Sequence, residues 1–321
     1  MLDRTPSGTR DVLPEEMREL RALTDRVRAV FERNGYGEVY TPALEYERTF
    51  AREGAKLTSH YRLFDEHGEV LVLRSDMTMP IARLVGNRYA SAPTPLRFCY
   101  TAHAYRGVRP QRGQSREFLQ AGVELIGAPG TAGTAEVLTV LCDALHAAGL
   151  RSFRVGVGDV TLYPALLEAF GVGEAAAERV IAELTAGDYV GVEREVDRLR
   201  LGPDGRELLT RVPRLRGGPE LLAGLDGPLR EVGVNMRDLL ELLPPRVVKR
   251  VIFDFGLVRS LGYYTGPIFQ VYDPAYGLAL GSGGRYDDLL AEFGRALPAV
   301  GFALDVERVH VALRAEERDD E

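Results

Sequence analysis

Two runs of alternating apolar and polar residues constrain the fold most strongly. They cover residues 95–106 and 115–126, and the eight residues between them, GVRPQRGQ, are rich in turn formers and arginine. Alternation with a period of two indicates β-strands, and a loop of this kind between consecutive strands predicts a long-looped antiparallel hairpin. The sequence therefore favours a mixed, mainly antiparallel sheet flanked by helices over a Rossmann series of strand–helix units.

The remaining patterns predict helices and strands on both sides of this hairpin. Apolar residues recur at helical spacing from Leu13 to Phe31, with Pro14 at the start and Gly35 at the end. A strand-like segment, GEVYTPALEY, is broken at Pro42. Further strands are predicted at 69–74, 152–157, 250–258, 267–273 and 278–281, a strand-to-helix junction at 75–88, and helices at 134–147, 285–293 and from about 305.

The 321 residues suit one α/β (α+β) core with a modest insertion. Between about 160 and 246 the pattern changes to short helical fragments separated by Gly, Pro and Asp. We therefore predict a core made of residues 1–159 and 247–321, and a helical insertion at 160–246. No P-loop and no early G-x-G-x-x-G is present, so a nucleotide site would have to be built from arginines on the sheet.

Composition narrows the class of protein. Two cysteines, Cys99 and Cys142, cannot form a disulfide framework, which favours a reducing cytoplasm. No run approaches the length of a membrane helix, and the first residues lack signal-peptide features. The five histidines show no metal-ligand spacing, so neither a metal nor a cofactor is predicted. A net charge of −7 argues weakly against nucleic-acid binding.

The hairpin carries the first candidate site. Arg116, Gln120 and Glu124 share one face of the second strand, and Arg106 lies on the partner strand. An arginine, an amide and a carboxylate in line suit a zwitterionic amino acid. The same alternation is typical of a solvated sheet face, so both interpretations stay open. In the loop, Arg109 could bind phosphate through charge-assisted hydrogen bonds, or it could be an ordinary solvent-exposed side chain.

Three other segments carry candidate residues. Asp76 and Thr78 face the same way in an extended chain, although Asp76 also suits a helix cap. The segment LVRSLGYYTG places Arg259 before Tyr263 and Tyr264. The arginine could bind an anion and a tyrosine could bind an imidazole, or the arginine could simply close a strand beside core tyrosines. The third segment, GSGGRYDD, contains Tyr286 after glycines at 281–284 that indicate a tight turn or a close backbone approach.

The order of these segments resembles class II aminoacyl-tRNA synthetases, and among them histidyl-tRNA synthetase, from Pro6 through Arg308. The matching segments are PSGTRDVLPEE, YTPALEY as the end of motif 1, YRGVRPQRGQSREFLQAGVELIG as motif 2, the two histidine signatures LVRSLGYYTG and GSGGRYDDL, and GFALDVER as motif 3. The resemblance implies the synthetase-like antiparallel fold and a homodimer formed through motif 1. It also implies a histidine pocket of Asp76, Thr78, Arg106, Gln120, Glu124, Arg259, Tyr263, Tyr264 and Tyr286, and a nucleotide or phosphate side with Arg109, Arg116 and Arg308, in which Arg106 also reaches an α-phosphate.

The departures from the family pattern fall mainly on the nucleotide side. Val108 replaces the glutamate that reads adenine, Gln114 replaces an arginine, and Asp305 replaces a glycine and would repel a polyphosphate. On the histidine side, Asp76 replaces a glutamate and Gly262 an aspartate. The nucleotide half is therefore expected to be eroded, and the histidine half to be mostly kept.

Thirteen residues follow Arg308, too few for the anticodon-binding domain of a synthetase, so we expect no such domain and no tRNA binding. This combination resembles the synthetase-like regulatory subunits of ATP phosphoribosyltransferase. That resemblance implies a non-catalytic, histidine-binding chain. It would pair with a short-form catalytic subunit in the first step of histidine biosynthesis and be required for both activity and feedback inhibition. The alternative is a truncated synthetase-like enzyme that forms histidyl-adenylate.

Overall fold

The computed structural model describes residues 4–51, 60–107, 115–257 and 262–319. Its α-helices are α1 (Pro14–Arg33), α2 (Glu47–Phe50), α3 (Thr78–Arg88), α4 (Gly130–Ala148), α5 (Leu162–Ala169), α6 (Glu174–Ala186), α7 (Tyr189–Arg198), α8 (Pro203–Arg211), α9 (Arg230–Leu242), α10 (Pro245–Val248) and α11 (Val306–Asp319). Its strands are β1 (Gly37–Glu38), β2 (Leu44–Tyr46), β3 (Arg62–Phe64), β4 (Val70–Leu73), β5 (Leu96–Tyr105), β6 (Glu117–Ile126), β7 (Arg154–Asp159), β8 (Arg216–Gly217), β9 (Val251–Asp254), β10 (Pro267–Asp273), β11 (Tyr276–Arg285) and β12 (Ala299–Asp305).

Within the described ranges, nine strands form one sheet in the order β1-β5-β6-β12-β11-β10-β7-β9-β8. Neighbouring strands are antiparallel except for the parallel pairs β1/β5 and β7/β9. The hairpin β5/β6 pairs without interruption from Leu96 opposite Ile126 to Tyr105 opposite Glu117. The predicted mixed, mainly antiparallel α/β fold is thereby confirmed.

Helix α1 shows why the helices lie on this sheet. Pro14 occupies the first turn, where the proline nitrogen has no hydrogen bond to lose. Leu20, Leu23, Val27 and Phe31 then recur on one face and are buried, with α1 packed on α4. Each such side chain contributes about 1.5–3 kcal/mol when it leaves water. This burial fixes one face of the sheet and leaves the other for the site.

The segment predicted as a helical insertion contains α5 to α9, three short 3-10 helices and the two-residue strand β8. Its buried residues, among them Leu166, Val180 and Leu209, belong to the same apolar cluster as α1 and α4. Strand β8 pairs with β9 at the edge of the large sheet. The insertion boundaries themselves remain a prediction.

The glycines at 281–284 form no turn, contrary to one of the two interpretations of that segment. They lie inside β11, paired with β10 on one side and β12 on the other. A Cβ at Gly283 would meet the Gly301 carbonyl oxygen at 2.2 Å and the Phe269 ring at 2.4 Å, so the close approach of neighbours requires glycine here. The helix predicted at 285–293 is also wrong in extent, because only a 3-10 helix, Leu289–Phe293, follows β11.

A small sheet, β2-β4-β3, lies apart from the large one. Its register places Leu44 opposite Leu73, and both Tyr46 and Leu63 opposite Leu71, so one face consists of apolar side chains. Leu44, Tyr46 and Leu63 are 46%, 40% and 42% exposed. We call this surface the small-sheet face. Within the described ranges, none of the helices has the length and apolar character needed to cross a membrane.

Candidate functional site

A small cavity of about 40 Å³ lies on the sheet face opposite α1 and α4, and we call it the inner cavity. It brings together all the predicted histidine-contacting residues that the structure describes. They are Asp76, Thr78, Arg106, Gln120, Glu124, Tyr263, Tyr264 and Tyr286. Arg259, the remaining predicted contact, lies outside the described residues.

Three parts of the chain build this cavity. The central strands β6, β12 and β11 form its floor, since Glu124 pairs with Gly301 and Gly301 in turn pairs with Gly284. The first turn of α3 brings Thr78 over β6, and the residues before β10 bring the tyrosine pair. Side chains that are far apart in the sequence therefore meet because the antiparallel register is fixed.

Glu124 is the central acid of the inner cavity and is only 2% exposed. The Thr78 hydroxyl donates to Oε1 at 2.7 Å, and the Tyr286 hydroxyl donates to Oε2. Burial raises the pKa of Glu124 to about 8, although both hydrogen bonds oppose the rise. Glu124 is therefore mostly a neutral acid at pH 7.

Tyrosine rings form the wall beside this acid. The Tyr263 ring lies 4.9 Å from that of Tyr264 and 5.7 Å from that of Tyr286, measured between centroids. Burial raises the pKa of Tyr263 and of Tyr286 well above the ordinary value of 10.0, so both phenols are uncharged. Aromatic walls with phenol hydroxyls suit a flat ligand that also forms hydrogen bonds.

Gln120 supplies an acceptor that is not satisfied internally. The side chain is 7% exposed, and its Oε1 has no hydrogen-bond partner among the residues that the structure describes. A buried amide oxygen without a partner costs about 1–3 kcal/mol. The cavity therefore presents a polar atom that a ligand N–H can satisfy.

Glycines make the space for this arrangement, and the sequence analysis did not single out the most important of them. A Cβ at Gly301 would lie 1.8 Å from Oε2 of Glu124, and a Cβ at Gly122 would lie 2.5 Å from the Tyr100 hydroxyl oxygen. Gly301, Phe302, Ser282 and Gly283 also line the inner cavity. The signal was present as glycine in the middle of an apolar strand, which indicates close approach of a neighbour.

Asp76 lies beside the start of α3 and also in the lining of the inner cavity. Its Oδ1 accepts the backbone N–H of Met79 at 3.2 Å in the first turn of α3, and the carboxylate also lines the inner cavity. The Ser75 hydroxyl donates to Oδ2 at 3.2 Å. Thr78 is already the first residue of α3, so the two side chains converge across a helix start and not along an extended strand.

A second, larger cavity of about 270 Å³ adjoins the first, and we call it the outer cavity. The two share Arg106, Gln120, Ser282 and Ala303 in their linings. Arg308, which is predicted for a phosphate side, also lines the outer cavity. Its Nε lies 3.0 Å from Oδ2 of Asp305, and its Nη1 donates to the Ala279 carbonyl at 2.9 Å.

Of the other two residues predicted for the phosphate side, Arg109 and Arg116, the structure describes only Arg116. Arg116 precedes β6 and lines neither cavity, and its Cγ lies 3.0 Å from the position of a Cβ on Gly8. The hairpin pairing extends to Arg116, since the Arg106 backbone N–H donates to the Arg116 carbonyl at 2.8 Å. Of the three residues expected to share a face, only Gln120 and Glu124 line the inner cavity. Arg109, Val108 and Gln114 lie outside the described residues. Among described side chains, no group of three or more His, Cys, Asp or Glu residues is placed to hold a metal ion.

Known proteins resemble this chain over most of its length. The family profile described as histidyl-tRNA synthetase matches residues 8–309. An ATP phosphoribosyltransferase regulatory subunit from Symbiobacterium thermophilum is 42% identical over 96% of this chain and 79% of its own length.

Two solved structures are similar over nearly the whole chain. One is an ATP phosphoribosyltransferase regulatory subunit/histidyl-tRNA synthetase from Bacillus halodurans. It superposes with a TM-score of 0.90 at 34% identity, covering 98% of this chain and 84% of that one. The other is a histidine–tRNA ligase subunit from Alicyclobacillus acidocaldarius, with a TM-score of 0.78 at 34% identity, covering 99% and 98%. The chain therefore belongs to the histidyl-tRNA synthetase-like family of ATP phosphoribosyltransferase regulatory subunits.

Proposed function

We propose that this chain is a regulatory subunit of ATP phosphoribosyltransferase that has no transferase chemistry of its own and binds L-histidine in the inner cavity. The observation that carries the proposal is the unsatisfied Oε1 of Gln120 beside the neutral acid Glu124 and the tyrosine wall. The similarity to relatives named as regulatory subunits supports the assignment to histidine biosynthesis, and the pathway implies a cytoplasmic protein.

Each part of histidine has a chemical counterpart in the cavity. The imidazole suits the wall formed by the Tyr263, Tyr264 and Tyr286 rings, with Glu124 and Thr78 as hydrogen-bonding groups. An ammonium N–H suits the Oε1 of Gln120. Arg106, whose guanidinium lies 4.9 Å above the Phe118 ring, suits the carboxylate, and Arg259 is proposed as a second contact. The cavity volume of about 40 Å³ is smaller than a histidine molecule, so binding requires the cavity walls to move apart.

The transferase activity would reside in a short-form catalytic partner, and this subunit would be required for that activity. Feedback inhibition then amounts to a coupling free energy between the inner cavity and the partner's active site, typically about 1–3 kcal/mol. The coupling is reciprocal, so the partner's ligands would change the affinity of this chain for histidine by the same factor.

Changing Gln120 to Ala is expected to weaken histidine binding about 10- to 100-fold, the value of a hydrogen bond to a charged group. Calorimetry on the isolated chain measures this directly. Gln270→Ala is the matched control, because Gln270 lines only the outer cavity. Mixed with a short-form catalytic chain, both variants should restore activity. Only the Gln120 variant should shift the inhibition curve to higher histidine. No heat of binding for the unaltered chain at millimolar histidine would refute the proposal.

The small-sheet face is proposed as the homodimer interface, because it lies in the motif 1 region. A row of exposed apolar side chains on a short sheet is a surface that a second copy would cover. Tyr40, four residues before Leu44 in the sequence, is 82% exposed.

Leu44→Glu is expected to convert the dimer into monomers, because it places a charge in the middle of a desolvated interface. Sedimentation velocity measures the mass against the 35.4 kDa of one chain. Val190→Glu on α7 is the control, since Val190 is 72% exposed on a different element. An unaltered chain that sediments as a monomer at all concentrations would contradict the assignment.

Formation of histidyl-adenylate remains the second candidate function. Arg106 and Arg308 both line the outer cavity, and one similar structure is named a histidine–tRNA ligase subunit. Histidine-dependent exchange between ATP and pyrophosphate distinguishes the two functions. Robust exchange by this chain alone would replace the regulatory proposal, whereas its absence, with histidine binding intact, would support it.

A further inference from the structure

The outer cavity has the composition of an anion site, yet its charges are arranged against anions. Arg106 and Arg308 are exposed to it, together with Ser282, Gln120 and Gln270. Two guanidinium groups in a polar cavity ordinarily attract phosphate or carboxylate. The start of α11, a helix of 14 residues, adds backbone N–H groups beside the same cavity.

Asp305 engages both of these features with one carboxylate. Its Oδ1 accepts the backbone N–H of Arg308 at 3.0 Å, at the start of α11. Its Oδ2 accepts from Nε of Arg308 at 3.0 Å. The Ala279 carbonyl accepts from Nη1 of the same guanidinium at 2.9 Å. An incoming polyphosphate would have to break these contacts and also approach a carboxylate that is largely shielded from water.

We infer that Asp305 determines the ligand selectivity of the outer cavity: by holding the Arg308 guanidinium and the start of α11, it excludes polyphosphates. Removal of this one charge should convert the outer cavity into a polyphosphate site. The inference rests on the proposed function only for the identity of the neighbouring inner-cavity ligand. It explains how a cavity lined by two arginines excludes polyphosphates while the adjoining cavity binds an amino acid.

The test uses Asp305→Asn, which keeps an oxygen for the Arg308 N–H and so retains the helix cap. Binding of inorganic triphosphate is measured by calorimetry. Asp305→Asn should bind triphosphate about tenfold or more tightly than the unaltered chain, as expected for one released charge-assisted contact. The double variant Asp305→Asn with Arg308→Ala should lose that gain, because the released guanidinium is the contact.

Glu307→Gln is the matched control. Glu307 lies two residues after Asp305 and is also a carboxylate, but it faces Arg10, 3.5 Å away, and does not line the outer cavity. This variant changes net charge equally and should not gain triphosphate binding. Equal affinities in Asp305→Asn and the unaltered chain would overturn the inference, as would an equal gain in Glu307→Gln.

A histidine titration of each variant keeps the two proposals distinguishable. Asp305→Asn should bind histidine within about twofold of the unaltered chain, since Asp305 does not line the inner cavity. That titration also verifies that each variant is folded. If the unaltered chain did not bind histidine, the proposed function would be refuted. The triphosphate result would still decide the role of Asp305.

Discussion

Replacing Gly301 with alanine is expected to abolish histidine binding and to lower the free energy of unfolding by about 3 kcal/mol. The added Cβ would lie 1.8 Å from Oε2 of Glu124 and 2.5 Å from the Val123 carbonyl oxygen. The side chain of Glu124 can rotate, but the carbonyl belongs to the adjoining strand β6, which is paired along its length. The strain therefore falls on the sheet as well as on the site.

Gly277→Ala provides the control for this change. Gly277 lies in β11, it is exposed, and a Cβ there meets nothing within 4 Å. Chemical denaturation should give nearly the same midpoint for Gly277→Ala and the unaltered chain, and a lower one for Gly301→Ala. Calorimetry with histidine separates the two effects. A Gly301→Ala chain that is folded and binds histidine normally would show that Glu124 is not held against β12 as described.

The residues of the inner cavity could be predicted in part because alternation fixes which side chains share a face of a strand. Gln120 and Glu124 are four residues apart in β6 and both line the cavity. The same rule placed Arg116 with them, but Arg116 lies just before β6 and lines neither cavity. Periodicity gives the direction of a side chain, but it does not give the residue at which a strand begins.

The contribution of β11 and β12 could not be derived from spacing. Gly301 pairs with Glu124 across a sequence separation of 177 residues, counted from their numbers, and local patterns carry no information on such a pairing. The resemblance to a known family supplied this neighbourhood, including Tyr286. The glycines at 281–284 fit either a turn or a crowded strand in the sequence, because the same absence of a Cβ serves both.

The pairing of Asp305 with Arg308 could be predicted from the sequence in part. An aspartate three residues before an arginine at a helix start is a capping pattern. The carboxylate was expected to repel a nucleotide, and the structure shows in addition that it holds the arginine. Charge placement along the sequence indicated the effect, and only side-chain geometry gave the mechanism.

The stability of the unaltered chain is expected to fall as pH rises from about 5 to about 8, and Glu124→Gln should remove much of this dependence. Burial raises the pKa of Glu124 to about 8 in the folded chain, above the ordinary value of 4.5. Between these two values the folded chain keeps a proton that the unfolded chain has released. The stabilisation that this proton contributes is therefore fully present below pH 4.5. It is lost as the pH rises through the folded pKa of about 8.

The loss in free energy of unfolding amounts to about 1.4 kcal/mol for each pH unit between the unfolded and folded pKa values of Glu124. Between pH 6 and pH 8, the unaltered chain should lose about 2.5 kcal/mol relative to Glu124→Gln, whose amide has no proton to lose in this range. Urea denaturation at several pH values measures the difference. Glu66→Gln, which removes a carboxylate with an exposed side chain (82%), should run parallel to the unaltered chain. If the Glu124→Gln curve also ran parallel, the buried acid would be ionised at pH 6. The inner cavity would then present a fixed negative charge to its ligand and not a neutral acid.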